Sequence, residues 1–168
     1  MLEEYIPLCF AVDKLKTING RKRFQKMIFL SKTACMPFDE IFEWNNFGPF
    51  SKELASEIDA LCKMDFFNES YDGMEYQYAL TKKGKEFLDK TADKEPDLYK
   101  KFERILSILD KYDTKNLEIL SSIKFLEDRS YDLDYIKVFL DYTKGYTEKE
   151  VNIGKKEVDE LFKSLKST

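Results

Sequence analysis

Seven basic residues lie between positions 14 and 32, and no acidic residue stands among them. Lysine and arginine bind anionic groups, so an uninterrupted run of one sign favours a docking surface for a phosphate backbone or an acidic protein. A solvated helix face is the other interpretation of this pattern. The candidate docking residues are Lys14, Lys16, Arg21, Lys22, Arg23, Lys26 and Lys32.

The connection that follows this basic run is rich in aromatic residues. Residues 38–50 carry five of them, more than a solvated loop would, and we expect them to pack between helices. Gly48-Pro49 indicates a turn within this connection. Because aromatic side chains often dominate the binding energy of protein interfaces, a partly exposed aromatic rim is the alternative. The candidate contacts are Trp44, Phe47 and Phe50.

The residues that usually perform catalysis are scarce. Histidine is absent, which excludes imidazole acid–base catalysis and zinc sites built on histidine. Cys9, Cys35 and Cys62 each stand at an apolar position of a predicted helix, and we expect reduced core thiols. Carboxylate pairs such as Asp39 and Glu40 are typical of helix caps and surface charge. We therefore predict a protein that is not an enzyme and holds no metal or cofactor.

Length and composition predict one compact unit. The chain has 168 residues, 43% of them hydrophobic and 15% aromatic, which is ample for a packed core. A net charge of −4 argues against a uniformly basic nucleic-acid-binding protein. No apolar run approaches the roughly 18 residues of a membrane helix, and the first residues lack the pattern of a signal peptide. We predict a cytoplasmic protein without membrane contact.

Hydrophobic periodicity predicts a mainly α fold with a small β-hairpin. Apolar residues three and four positions apart mark the helices, and Asp72-Gly73 marks a hairpin over residues 66–80. The last helix opens with a capping box of Thr147 and Glu150, and its continuity across residues 152–154 stays open. The other predicted helices cover about residues 2–17, 21–35, 51–64, 81–90, 97–112, 115–128 and 132–144.

The order of these elements indicates a winged-helix-like unit over residues 1–91. A helical extension over residues 92–168 begins within the polar, proline-containing residues 91–97, and we expect it to pack on the first unit as one compact domain. In a winged helix the third helix is the one that would enter a DNA groove, yet here it exposes more acidic than basic residues. The charged residues of the hairpin are all acidic, namely Glu69, Asp72 and Glu75. Because DNA binding depends on neutralising phosphates, this charge disfavours the usual docking mode.

Four segments carry a resemblance to a known group. They are residues 24–30 (FQKMIFL), 42–44 (FEW), 47–54 (FGPFSKEL) and 58–61 (IDAL). The chain resembles YwgA-like microbial proteins and, more distantly, the Panacea (SocA-like) antitoxin domain, over about residues 20–90 and loosely beyond. Asp65 departs from the glycine usual at the end of the third helix, which affects only the local turn. The resemblance implies a regulatory module that binds a protein partner, and it implies no catalytic residue.

These observations predict a non-enzymatic regulatory module that binds a macromolecular partner. A protein partner is favoured, in an antitoxin-like or adaptor-like role, because of the acidic third helix and the resemblance. The alternative is a winged-helix transcription regulator that binds DNA through the basic 14–32 surface. A homodimer is a minor alternative, since some of the C-terminal tyrosines must be exposed; these are Tyr131, Tyr135, Tyr142 and Tyr146.

Overall fold

The computed structural model describes residues 2–91 and 94–167, so the predicted boundary at residue 92 lies outside the described residues. The described helices, preceded by a 3-10 turn at Glu3–Tyr5, are α1 (Ile6–Leu15), α2 (Arg21–Thr33), α3 (Lys52–Lys63), α4 (Lys82–Thr91), α5 (Pro96–Leu109), α6 (Thr114–Asp128), α7 (Leu133–Lys144) and α8 (Glu148–Lys166). The described strands are β1 (Thr17–Asn19), β2 (Glu43–Asn45), β3 (Gly48–Phe50), β4 (Phe67–Tyr71) and β5 (Tyr76–Leu80). The predicted fold class, mainly α with a small β-hairpin, is confirmed.

Strands β4 and β5 form the predicted hairpin. Its turn is closed by Asp72, whose Oδ1 accepts the N–H groups of Met74 at 2.8 Å and Glu75 at 2.9 Å. Gly73 in this turn has a φ of +99°, which glycine adopts at little cost. Local side-chain chemistry thus fixes the hairpin as the sequence indicated.

A third strand, β1, was not predicted. The first helix was expected to reach about residue 17, but α1 ends at Leu15. The residues after it pair antiparallel with β5, with Thr17 opposite Ala79, which gives the sheet order β1–β5–β4. A three-residue strand whose partner lies some sixty positions away leaves no local periodicity to detect.

The aromatic connection also contains strands that the sequence did not predict. Strands β2 and β3 pair antiparallel, with Trp44 opposite Pro49. The expected packing between helices holds for Phe38 and Phe42, which are buried. Their rings lie 5.5 Å from Phe102 of α5 and 5.2 Å from Phe29 of α2 between centroids.

Helix ends follow the predicted chemistry where the capping group is local. The Ser51 hydroxyl accepts the Leu54 N–H at 3.2 Å and so caps α3. Thr147 and Glu150 make both hydrogen bonds of the predicted capping box, and α8 runs on without interruption through residues 152–154. Asp65 takes the positive φ, +61°, expected after α3.

The prediction that Cys35 is a core thiol is wrong. Helix α2 ends at Thr33, and Cys35 has a φ of +69° in the position that glycine usually takes after a helix. The N–H of Met36 then bonds back to the Ser31 carbonyl at 3.1 Å. This reversal of the chain leaves Cys35 exposed. Cys9 is buried and Cys62 is half-buried, and both are free thiols.

One continuous hydrophobic cluster includes side chains from both halves of the chain. Helix α2 lies at its centre, with Phe24, Met27, Ile28 and Leu30 fully buried, and contacts both α5 and α6. Across the described residues, no helix combines the length and apolar character that crossing a membrane requires.

Candidate functional site

Most of the basic residues of the 14–32 run form ion pairs or hydrogen bonds with other residues of this chain. Arg21 donates to the Tyr78 hydroxyl at 2.7 Å and pairs with Asp59 of α3 at 2.6 Å and Glu69 of β4 at 3.0 Å. Hydrogen bonds from Tyr78 and then Arg21 outweigh burial and lower the pKa of Glu69. Arg21 therefore offsets the charge of one carboxylate on α3 and one on β4.

Most other members of the run also have internal partners. Arg23 pairs with the Asp110 carboxylate at 3.0 Å and donates to the Tyr112 carbonyl at 2.8 Å. The remaining contacts join Lys14 to Glu103 at 3.5 Å, Lys22 to Glu118 at 3.2 Å and Lys32 to the Glu40 carbonyl at 2.7 Å. Lys16 is exposed and has no polar partner among the described residues.

Lys26 lies in the interior, and its assignment to a docking surface is wrong. The residue is 1% exposed, and its Nζ donates to the Pro49 carbonyl at 2.6 Å. Burial lowers the pKa of the ammonium group to about 7. Lys26 and its neighbour Gln25 are both buried on α2. A count of charges along the sequence does not reveal this burial.

Gln25 and Lys26 together hold strand β3. The Gln25 amide donates to the Ser51 carbonyl and accepts the Ser51 N–H, both at 2.8 Å. With the bond from Lys26 to Pro49, two adjacent side chains of α2 bind three backbone groups of residues 49–51. Gly48-Pro49 lies in strand β3 and not in the predicted turn, which falls at residues 46–47. The Gln-Lys pair and the Gly-Pro-Phe-Ser segment are two parts of one structural clamp.

The tip of the β2–β3 hairpin is held from the C-terminal half. Lys144 of α7 donates to the Asn46 carbonyl at 2.6 Å and is ion-paired with Glu118 of α6. The ring of Phe47 lies 4.0 Å from the Nζ of Lys22 and 5.4 Å from that of Lys144, so both cations face it. Phe47 nevertheless remains 57% exposed at the tip.

A row of exposed apolar side chains lies on α7 and the turn before it. Tyr131, Tyr135, Val138 and Tyr142 recur at spacings of four, three and four, which places them on one side of the helix. All four are exposed, Tyr142 to 90%. This row is called the aromatic face. Some of the C-terminal tyrosines were expected to be exposed, and of the four only Tyr146 is buried.

A groove of about 350 Å³ lies beside the aromatic face. Its floor is a continuous series of rings, in which Trp44 lies 5.8 Å from Phe125 and 5.1 Å from Phe139 between centroids. Tyr135 stacks on Phe139 at 5.9 Å and extends the series to the aromatic face. At the other end, the Arg129 guanidinium lies 3.4 Å from the centre of the Phe125 ring. Trp44 is half-buried, and Phe50 is half-buried outside the lining of this groove.

The rim of the groove and aromatic face is acidic. Lys137 and Lys144 of α7 are paired with Glu148 and Glu118. Arg129 is directed at the Phe42 carbonyl at 3.2 Å. No ion pair within the described residues engages the exposed acids of the rim, which are Glu43, Asp132, Asp134 and Asp141. An apolar surface with an acidic rim suits a ligand with apolar and basic groups.

The described residues hold no metal-ligand cluster, and two of the thiols are buried or half-buried. No group of three or more His, Cys, Asp or Glu side chains among them is placed to hold a metal ion. Burial raises the pKa of the Cys9 thiol to about 12 and of the Cys62 thiol to about 11, so both are poor nucleophiles at neutral pH. The surface features described above are suited to binding.

A comparison with curated proteins places the chain beside one bacterial relative. The chain is 30% identical to the uncharacterized protein YwgA of Bacillus subtilis over 166 residues, which covers 96% of this chain and 98% of the relative. No family model matches the chain.

Proposed function

The chain belongs to the family of YwgA-like microbial proteins, and for this member we propose a non-enzymatic regulatory role in which it binds a protein partner. The aromatic face carries this proposal. Tyrosine is enriched among the residues that dominate binding energy in protein interfaces, and here three tyrosines and a valine lie exposed in one row. Exposed apolar patches of this kind mark interaction sites on soluble domains.

The charge around the aromatic face specifies the chemistry of the partner. The free acids of the rim, Glu43, Asp134 and Asp141 among them, favour a segment that carries lysine or arginine beside its apolar residues. The groove floored by Trp44 and Phe139 then receives an apolar side chain. A basic amphipathic helix meets both requirements.

The winged-helix-like unit of residues 1–91 acts in this proposal as a rigid support. The sheet order β1–β5–β4, next to α3, supports that description of the unit. The antitoxin-like or adaptor-like role implied by the Panacea resemblance, acting in the cytoplasm, is part of the same proposal. In either role the protein acts by covering or tethering its partner.

The alternative role as a DNA-binding regulator draws less support from the geometry. Its basic surface would need Arg21 and Arg23 free, and these side chains are paired with Asp59, Glu69 and Asp110. DNA binding through this surface would show a mobility shift whose affinity falls steeply with salt and is lost on reversing the charge of Lys22.

Site-specific photo-crosslinking in the native host tests the proposal. A photoreactive phenylalanine analogue at position 142 is expected to capture one protein reproducibly, and the same analogue at position 71 serves as control. Tyr71 is 60% exposed on the β4–β5 hairpin, away from the aromatic face. The captured protein should contain a segment with apolar and basic residues.

Calorimetry with the purified partner then measures the contribution of the face. Tyr135→Ala is expected to weaken binding about tenfold or more, whereas Tyr71→Ala leaves it unchanged. Equal capture from positions 71 and 142, or equal weakening by both substitutions, would contradict the proposal.

A further inference from the structure

A cavity of about 440 Å³ lies between the start of α1, residues 37–40, α3 and α5. Its described lining carries six carboxyl groups and one amine, that of Lys94, which is paired with Glu3 at 2.6 Å. The carboxyl groups belong to Glu3, Glu4, Asp39, Glu40, Glu57 and Glu95. The cavity is therefore strongly acidic, and none of its residues belongs to the aromatic face.

Two of these carboxyl groups combine a buried oxygen with the lack of a cationic partner among the described residues. Glu40 is 5% exposed, and one oxygen each of Glu40 and Glu57 is buried without a hydrogen-bond donor. Lys32, the nearest lysine on α2, donates to the backbone carbonyl of Glu40 and not to its carboxylate. Buried carboxylates are costly unless they are paired with a charge or share a proton.

Glu57 favours its protonated form when the cavity is empty. Burial, followed by the charge of Glu40, raises the pKa of Glu57 to about 8. The other titratable groups around the pair are Glu3, Glu4, Asp39, Glu53, Lys94, Glu95 and Tyr99. A ligand that brings its own positive charge and N–H donors would replace the proton of Glu57 and supply the donors that the two buried oxygens lack.

The walls of the cavity select the type of cation. Phe38, Leu98 and Tyr99 give it an apolar side, which a hydrated metal ion does not need and an alkyl chain does. Calcium takes six to eight oxygen ligands, and no three acidic side chains among the described residues are placed to hold a metal ion together. An organic ammonium ion supplies three donors and an alkyl chain to contact the aromatic rings.

We propose that this acidic cavity binds the primary ammonium group of an organic cation, with Glu40 and Glu57 as acceptors and Tyr99 against the alkyl chain. On binding, the proton held by Glu57 leaves to solvent, and the ammonium group donates its N–H bonds to both carboxylates. The cation is a free alkyl amine or the lysine side chain of a protein. This inference does not depend on the protein-binding role of the aromatic face.

Calorimetry at pH 7 in two buffers of different ionisation enthalpy tests the proposal. The probes are 1,5-diaminopentane, spermidine and a capped lysine peptide, with tetramethylammonium as a control that has the charge without a donor. We expect one-to-one binding, release of a proton, and affinity that rises from pH 6 to pH 8 because fewer protons compete for the pair. Tighter binding of the free amines identifies a small metabolite, and tighter binding of the peptide identifies a partner's lysine.

Matched variants test whether the heat of binding measured by calorimetry comes from the cavity. Glu40→Gln and Glu57→Gln keep the shape of each side chain and are each expected to weaken binding at least tenfold. Glu86→Gln makes the same charge change on the exposed side of α4 and should have no effect. Circular dichroism of each variant establishes that it is folded. Absent binding of all three primary amines, equal binding of tetramethylammonium, or equal weakening by Glu86→Gln would overturn the proposal.

Discussion

Replacing Lys26 by methionine should change the pH dependence of stability in a defined direction. The folded chain lowers the pKa of this amine from 10.5 to about 7, because the ammonium group is buried. Between these values the unfolded chain holds a proton that the folded chain has released. The free energy of unfolding therefore rises with pH in this window, by up to about 1.4 kcal/mol per pH unit.

The magnitude follows from the two pKa values. Keeping Lys26 destabilises the folded state by about 4 kcal/mol at pH 7 and by about 2 kcal/mol at pH 9, relative to a side chain that does not titrate. Methionine has a similar length, so Lys26→Met removes this term while filling most of the space. Wild type should therefore gain about 2 kcal/mol on the variant between pH 7 and pH 9.

Urea unfolding followed by circular dichroism at pH 7, 8 and 9 measures the difference directly. Lys32→Met is the matched control, because Lys32 also donates to a backbone carbonyl from α2 but is only half-buried. A wild-type advantage over Lys26→Met that stays constant or shrinks as pH rises would refute the argument that Lys26 is buried with a lowered pKa.

Three further substitutions test separate parts of the structure. Burial and the charge of Glu40 raise the pKa of Glu57 from 4.5 to about 8. Between these pH values the folded chain keeps a proton that the unfolded chain has lost, so the free energy of unfolding falls as the pH rises. Glu57→Gln should remove about 2 kcal/mol of that fall, measured by urea unfolding at pH 5 and pH 8. Gly154→Ala would place a Cβ 2.7 Å from Ile123 and should destabilise by about 1–2 kcal/mol despite the better helix propensity of alanine, which thermal melting would detect. Ser51→Ala removes the cap of α3 and should cost about 1 kcal/mol in the same assay, whereas Ser56→Ala on the exposed side of α3 should change little.

Features that depend on neighbouring residues were predictable from the sequence. Asp72-Gly73 specifies its turn through bonds from one side chain to the backbone two and three residues later. Thr147 and Glu150 similarly satisfy each other's backbone groups at the start of α8. In each case the determining atoms lie within four residues, so the pattern is visible in the printed chain.

Features that depend on distant partners were not predictable. The basic run has no acid within it, but its partners are Asp110, just after α5, and Glu118 of α6, nearly a hundred positions later. Strand β1 likewise needs β5 to exist. The apolar spacing that predicted α2 did contain one available signal, because Lys26 lies between the buried Phe24 and Met27. A charge at that point of an apolar stripe indicates an internal role.

For a related reason, the sequence did not show which side of α7 would form the aromatic face. Its tyrosines alternate along α7 with Ile136 and Leu140, which are buried. A helix with apolar residues on both sides indicates burial all round, and only the packing of α7 shows which side is left uncovered.

The support of the β2–β3 hairpin limits how this chain can be divided. Its strands have three residues each, too few to persist alone, and its backbone is held by Lys26 from α2 and Lys144 from α7. Cutting the chain ahead of α7 would remove one of these anchors and expose to water the surface of α6 that packs against α7. The first ninety residues consequently cannot be moved into another protein as a separate unit, and fusion proteins or split reporters should keep the chain intact.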